Sequence, residues 1–406
     1  MHVLFLTDNF PPEGNAPASR TYEHAREWVK LGHKVTIITG APNFPEGKVY
    51  DGYKNYWYSK ELLDGIEVRR VKTYITANEG FIKRILDFMS FMVMGFVAGL
   101  FVKKPDVVIG TSPQFFTAVG AWALAAVRFK PFVFELRDIW PASITTVGAM
   151  KKGFIIKLLE RLEMFLYKRA SLIISVTESF KVELISRGVD ADKIKIVLNG
   201  VDLSHYKPLV GKDLQMASCF DLHGKFVVGY VGTHGMAHGL ENVVMAAEQL
   251  VDQGDIVFIF VGGGSERQKI ERIVKEKKLH NIKMIDKQPK ENMPAIWSLC
   301  DLSLVPLIDK PLFKTVIPSK IFECMGMGLP ILMSAPQGEA TAIINKTNSG
   351  YLVTPESADE LAEKILNIKD TKSEYEVKVK SCISSASDYS RANQSVRMIN
   401  FVDGLL

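Results

Sequence analysis

Phe226-Val227-Val228-Gly229-Tyr230-Val231 runs into Gly232-Thr233-His234-Gly235-Met236-Ala237-His238-Gly239 and then into Leu240-Glu241-Asn242-Val243-Val244. An unbroken apolar run, a glycine-rich loop and a helical period make one strand–loop–helix unit. The run does not alternate with polar residues, so both faces of the strand are buried, as in a parallel sheet. The same unit repeats downstream. Strands are predicted at Ile256–Val261, Ile282–Ile285, Leu302–Val305 and Pro330–Met333. Helices are predicted at Leu240–Gln253, Ser265–Lys278, Met293–Cys300, Ser319–Met327 and Ala358–Ile368. Upstream the strands are Val3–Thr7, Val35–Thr39, Val107–Gly110, Phe132–Leu136, Leu172–Val176 and Ile194–Leu198, with helices such as Ser19–Leu31 and Phe154–Arg169 between them. The pattern predicts an α/β chain with two doubly wound parallel sheets facing across a cleft. Residues 1–200 form the first domain, 201–212 the linker and 213–385 the second domain. Residues 386–406 form a terminal helix that packs back on the first.

The chain has 406 residues, 47% hydrophobic and 23% charged, the proportions of an ordinary globular protein. Four cysteines, Cys219, Cys300, Cys324 and Cys382, form no C-x-x-C pair, which suits free thiols in a reducing cytosol. The start, Met1-His2-Val3-Leu4-Phe5-Leu6-Thr7-Asp8, lacks the basic region and cleavage site of a signal peptide and reads as a strand. The net charge of +5 is unevenly placed: residues 1–200 hold 27 Lys/Arg against 20 Asp/Glu, and residues 201–406 hold 23 against 25. A basic first half suits an anionic partner. With no zinc-finger or RNP-type motif, a membrane surface fits better than nucleic acid.

Ile85–Val102 reads ILDFMSFMVMGFVAGLFV between Lys83-Arg84 and Lys103-Lys104. A buried core helix is the first reading, a helix in the membrane interface the second. A span comes third, since about 20 apolar residues are needed and this run is shorter and holds Asp87.

Functional loops of parallel sheets lie at the C-terminal ends of their strands. Asp8-Asn9-Phe10-Pro11-Pro12-Glu13-Gly14-Asn15 follows the first strand and opens a helix. Gly14 and Asn15 there suit an anion near a helix N-terminus. In the loop Gly232–Gly239, backbone at Gly232, Thr233 and Gly235 and the side chains of His234 and His238 are candidate diphosphate contacts. The spacing is not G-x-G-x-x-G, which argues against a nicotinamide enzyme. Gly262-Gly263-Gly264 follows Val261 and suits close passage of a nucleotide, while Arg267 reads as a surface helix residue.

Ile317-Pro318-Ser319-Lys320-Ile321-Phe322-Glu323 carries the most specific signal. Pro318 fits the first helical position. Lys320 then places a cation where the helix dipole is already positive, an arrangement that implies a bound anion. Glu323, one turn on, faces the same side and suits ribose hydroxyls.

With these residues the chain resembles the family 4 glycosyltransferases of the GT-B fold. The likeness runs through Phe10-Pro11-Pro12-Glu13, Asn199-Gly200-Val201-Asp202, Gly262-Gly263-Gly264, Pro318-Ser319-Lys320-x-x-Glu323 and Gly328-Leu329-Pro330. The Pro-Ser-Lys-x-x-Glu form together with Leu136-Arg137-Asp138-Ile139-Trp140-Pro141 is similar to a bacterial subgroup that includes L-fucosamine transferases of O-antigen and capsule assembly. The resemblance implies that Glu323 binds ribose as the second acid of an E-x7-E pattern. Thr315 stands in place of the first acid, leaving donor-sugar contacts to backbone from Thr315 through Ile317 to Pro318. Where many members have an Arg and a Lys in the second glycine-rich loop, this chain has His234 and His238, so Lys320 must carry more of the diphosphate charge. Lys287 lies where such enzymes contact the base.

The implied reaction is retaining transfer of a sugar, an N-acetylated amino sugar such as N-acetyl-L-fucosamine, from a UDP-sugar to a lipid-linked saccharide of the undecaprenyl-diphosphate type at the inner face of the plasma membrane. No cofactor is implied, and no D-x-D motif follows a strand to hold a metal ion. Lys320 stabilises the leaving diphosphate, Asp138 positions acceptor or sugar, and Arg137 steadies the acceptor phosphate or Asp138. The alternatives are a sugar-nucleotide epimerase of the same architecture, acting without an acceptor, and a binder that turns nothing over.

Overall fold

The computed structural model describes residues 1–76, 81–139 and 153–406, and the side chains of 81 and 82 lie outside that description. Trp140 and Pro141 of the motif above therefore lie outside the described residues. The chain divides into two compact units, Met1–Asn199 with Arg391–Leu406, and Gly200–Ser390.

The first unit holds an eight-stranded sheet. Its strands are β1 His2–Leu6, β2 Lys34–Thr39, β3 Tyr58–Leu63, β4 Ile66–Val71, β5 Val107–Thr111, β6 Phe132–Leu136, β7 Leu172–Ser175 and β8 Ile194–Ile196, in the order β3-β4-β2-β1-β5-β6-β7-β8. All neighbours are parallel except β3 and β4. That hairpin is absent from the periodicity reading. Its turn is Asp64-Gly65, both with positive φ, the two-residue connection that matches strand twist. Helices Phe81–Leu100, Phe115–Arg128, Phe154–Arg169 and Glu178–Ser186 bury their inner sides on one face of the sheet. Helices Ala16–Lys30 and Arg391–Asp403 cover the other, through Trp28, Met398, Ile399 and Val402. There Trp28 Nε1 donates to the Ser395 carbonyl at 3.0 Å.

The second unit holds β9 Phe226–Val231, β10 Ile256–Val261, β11 Ile282–Ile285, β12 Leu302–Pro306, β13 Ile331–Ser334 and β14 Gly350–Val353, all parallel, in the order β11-β10-β9-β12-β13-β14. Strand order reverses between β9 and β12, so the loop after β9 sits at the topological switch point, where open α/β sheets place their ligands. Residues 201–212, expected as a linker, belong to this unit, where Val201 bridges to Ser390.

Candidate active site

Val231 pairs with Val261, and Val261 with Ile285, so the loops after β9, β10 and β11 leave the sheet side by side. The first two pack backbone against backbone. Gly232 N donates to the Val261 carbonyl at 2.9 Å and His234 N to the Gly263 carbonyl at 2.8 Å. At Gly262, φ is +140° and a Cβ would fall 2.0 Å from the Gly232 carbonyl oxygen. The glycine there serves loop-to-loop packing, whereas Gly263 faces open space and is the member of the run that a ligand can approach. Arg267 is no surface residue. It donates to the Ile285 carbonyl at 2.9 Å and to the Gly262 carbonyl, and pairs with Asp286 at 2.8 Å, tying the second loop to the end of β11. Lys287 is exposed two positions past β11.

Lys320 opens the helix Lys320–Met327. Ser319 is its cap residue and Pro318 precedes the cap, its carbonyl accepting from Ile321 N at 3.2 Å; the expected first-turn proline is thus two positions early. The Lys320 side chain folds back over the Tyr230 ring, Nζ lying 4.1 Å from its centroid. Nζ is buried and has no hydrogen-bond partner. It fills the space left by Gly232, whose Cβ would stand 3.0 Å away. The ammonium thus reaches the loop after β9 from a helix about ninety positions later in sequence, a placement that follows from the β9–β12 switch. Burial pushes its pKa down to about 8, leaving it mostly protonated near neutrality.

The two histidines part company. His234 is fully buried, its ring between Tyr230 and Phe260 at 5.7 and 6.3 Å. Burial first, then Arg267 and Lys320, push its pKa down to about 4, so it is neutral. The neutral ring therefore adds no charge at the site, and its contacts are the two aromatic rings. His238 is half-buried, and its Nδ1 lies 3.1 Å from the Pro306 carbonyl. A carbonyl only accepts, so Nδ1 carries the proton, and Nε2 can donate to a phosphate only in the imidazolium form. Burial and Lys320 lower its pKa, outweighing the Pro306 carbonyl. The charge at this site therefore rests on Lys320.

Glu323, one turn beyond Lys320, accepts from the indole Nε1 of buried Trp297 at 3.1 Å. This bond fixes the carboxylate, and neither Trp297 nor Tyr230 is visible as a site residue from motif spacing. The one available signal is Tyr230 itself, a hydroxyl-bearing ring closing an otherwise apolar strand. Thr315 Oγ1 donates to the Leu312 carbonyl at 2.9 Å within its own turn. Thr315, Ile317 and Pro318 are half-buried and Ser319 is exposed, so this backbone lies open ahead of the helix. Thr233 is exposed and Gly235 half-buried beside them.

Gly14, Asn15, Arg137 and Asp138 belong to the other unit. Asn15 caps the helix Ala16–Lys30, its Oδ1 accepting from Ala18 N at 2.9 Å, and Gly14 faces open space. Arg137 does not extend toward a ligand. Its guanidinium is buried against Glu135 at 2.8 Å and donates to Thr21 Oγ1 at 2.9 Å and the Pro17 carbonyl at 3.2 Å. This corrects its role as an acceptor-phosphate group: Glu135 points into the core from β6 and needs a buried cation more than the loop does. Asp138, half-buried at the end of that strand, is held through its backbone N–H by Ser112 Oγ at 3.2 Å.

Comparison with known proteins agrees with this architecture. Residues 18–205 match the family model described as Glycosyltransferase Family 4, and residues 217–381 that of Glycosyl transferases group 1. The chain is 26% identical to WcaI of Escherichia coli (strain K12), named as a colanic acid biosynthesis glycosyl transferase, across 89% of this chain and 90% of that protein. Its structure resembles sucrose-phosphate synthase from Thermosynechococcus elongatus, with a TM-score of 0.77, 15% identity and coverage of 100% and 98% of the two chains. HepE from Anabaena, solved in complex with UDP, gives a TM-score of 0.70 at 16% identity over 100% of both chains. The fold is GT-B, with two Rossmann-like sheets. Transferase models match on both sides of residue 210, which sets aside the epimerase reading, and the chain belongs to the family 4, group 1, glycosyltransferases.

Proposed function

We propose that the chain is a retaining, metal-independent transferase that moves a sugar from a UDP-sugar onto a lipid-linked saccharide at the inner face of the plasma membrane, in O-antigen or capsule assembly. The observation that carries this reading is the buried Lys320 ammonium, without a hydrogen-bond partner, beside the glycine loop at the switch point. An unpaired buried charge is costly unless a ligand of opposite sign completes it. A diphosphate is such a ligand, and Glu323 one turn away suits the attached ribose. The bond from the anomeric carbon to the β-phosphate oxygen breaks as negative charge gathers on that oxygen. Lys320 and the N–H groups that open its helix stabilise this charge more than that of the bound donor. The acceptor hydroxyl bonds from the face that the diphosphate leaves, and its proton passes to the departing phosphate oxygen. Asp138 positions the acceptor or the transferred sugar.

The UDP complex of HepE and the polysaccharide named for WcaI support the donor nucleotide and the process. The sugar, an N-acetylated amino sugar such as N-acetyl-L-fucosamine, rests on the Pro-Ser-Lys-x-x-Glu likeness. A panel of UDP-sugars offered with an undecaprenyl-diphosphate-linked saccharide tests the reading by product mass. Transfer with inverted anomeric configuration, or release of free sugar alone, counts against it.

Two further results are expected. Glu323→Gln replaces charge-assisted hydrogen bonds to ribose by neutral ones, each worth about 1 kcal/mol less. Calorimetric titration with UDP should show that loss, and equal affinity for both proteins would remove Glu323 from the ribose. Excess chelator should leave turnover unchanged, because Lys320 supplies the charge. Among the described residues no three His, Cys, Asp or Glu side chains converge. Loss of activity restored by magnesium or manganese would assign the charge to a metal ion instead.

A further inference from the structure

We propose that the outer face of one helical layer in the first unit docks on an anionic lipid bilayer. The inference deepens the proposed function, and it rests on that reading for the place where the acceptor is held.

The helix Phe81–Leu100 is apolar nearly all round, yet only one side of it is covered. Phe91, Ala98 and Val102 are buried in the core beneath it. Leu86, Met89, Val93, Val97 and Phe101 are between 40% and 74% exposed. They follow one another at three- and four-residue steps. At about 100° per residue they fall within an arc of about 120°, a continuous stripe opposite Phe91. One side of the helix is thus core and the other is exposed. Exposed Lys83 and Arg84 stand at one end of the stripe, and exposed Lys103 and Lys104 at the other.

The neighbouring helices of the same layer, Phe115–Arg128 and Phe154–Arg169, add exposed Phe129 and Phe154. Across residues 81–104, 115–130 and 153–169 there are ten Lys/Arg against three Asp/Glu. That +7 equals the whole positive excess of residues 1–200 (27 against 20). The fourth helix of the layer, Glu178–Ser186, has two Glu and one Lys. An exposed apolar stripe with cations at both ends fits a helix lying in the plane of a bilayer interface. No helix among the described residues is long and apolar enough to cross a membrane.

The full chain is floated with phosphatidylcholine vesicles, with and without phosphatidylglycerol, and its UDP affinity is measured alongside. It should float with the anionic vesicles and partition less as salt rises, each basic residue near the surface contributing about five-fold. The triple variant Leu86→Gln/Val93→Gln/Phe101→Gln changes only exposed positions. It should lose about ten-fold or more of the partition, with melting temperature and UDP affinity unchanged. Lys103→Gln/Lys104→Gln should lower partition onto anionic vesicles and flatten its salt dependence. Wild-type chain left at the bottom of the gradient overturns the proposal, as does either variant partitioning like wild type. So does a solution dimer that the triple variant converts to monomer, which would assign the face to a second copy. A chain that binds UDP but not vesicles sinks the docking face alone. A chain that floats but binds no UDP sinks the donor site and leaves the docking face standing.

Discussion

Lys320→Ala is expected to lower kcat by about a hundred-fold or more while leaving the fold intact. In the proposed reading the ammonium stands where charge develops on the leaving diphosphate, and neither histidine of the glycine loop replaces it: His234 is buried and neutral, and His238 presents a lone pair. The variant should not melt earlier. A buried charge with no hydrogen-bond partner costs stability in the free enzyme, so its loss should leave the melting temperature unchanged or raise it, as expected of a site kept for function. A pH signature accompanies this. In the free protein Lys320 releases its proton near pH 8. A bound diphosphate holds that proton more tightly, so UDP binding takes up a proton above that pH, and affinity falls as pH rises through it. Calorimetry in two buffers of different ionisation enthalpy reads this uptake directly. It should be present in wild type and absent in Lys320→Ala. Equal kcat in the two proteins, or the same proton uptake, would place the diphosphate elsewhere.

The second large effect is on stability. Glu135 lies buried between two buried arginines, with Arg20 Nε at 2.9 Å and Arg137 at 2.8 Å. Arg20 also donates to the Val197 and Leu198 carbonyls and to Asn199 Oδ1 at 2.9–3.0 Å, so one carboxylate holds the start of the helix Ala16–Lys30 against the end of the unit's first chain segment. Glu135→Ala leaves two guanidiniums buried side by side. Removing one partner of such a group typically costs about 3–5 kcal/mol, most of it the price of the charge left behind. Urea titration followed by tryptophan fluorescence should show the first unit unfolding at lower denaturant. UDP affinity, which the proposed site places in the second unit, should persist below that transition. The acid limb should change as well. Burial raises the Glu135 pKa, but Arg137 and Arg20 outweigh it and hold it at about 2. A depressed carboxyl contributes its stability in full above its unfolded value and loses it as pH falls toward the folded one, here from about 4.5 to about 2. Wild type should therefore lose stability across that window and Glu135→Ala should lose less. An unchanged urea midpoint would show that solvent reaches the pair.

Both sites bear on how much the sequence discloses. Strands β1, β2 and β5 to β13 are legible because nearly all are short apolar runs closed by a turn-forming residue, most of them buried on both faces. β3 is missed because its side chains are exposed or half-buried at the sheet edge, although Asp64-Gly65 marks its turn. Lys320 and Glu323 are legible because a charge beside an apolar helix needs a reason. What contacts them is not: Trp297, Tyr230 and Gly232 meet them only through the order of parallel strands, which no local spacing encodes. Arg137 misleads for the same reason. Beside Asp138 in sequence it reads as an active-site cation, but Glu135 two positions earlier on the strand, facing inward, claims it.

The division of the chain carries a consequence for its synthesis and its engineering. Residues 391–406 complete the core of the first unit, placing Met398, Ile399 and Val402 beside Phe5 and Trp28. The second unit is therefore an insertion within the first. On the ribosome, the opening half cannot seal that side of its sheet until residues 391–406 emerge, by which time the second unit, made in between, is free to have folded. A chimera that exchanges donor specificity should accordingly replace residues 200–390 as a cassette. A head-to-tail fusion at residue 200 would carry away the helix that closes the opening half and leave Trp28 bare.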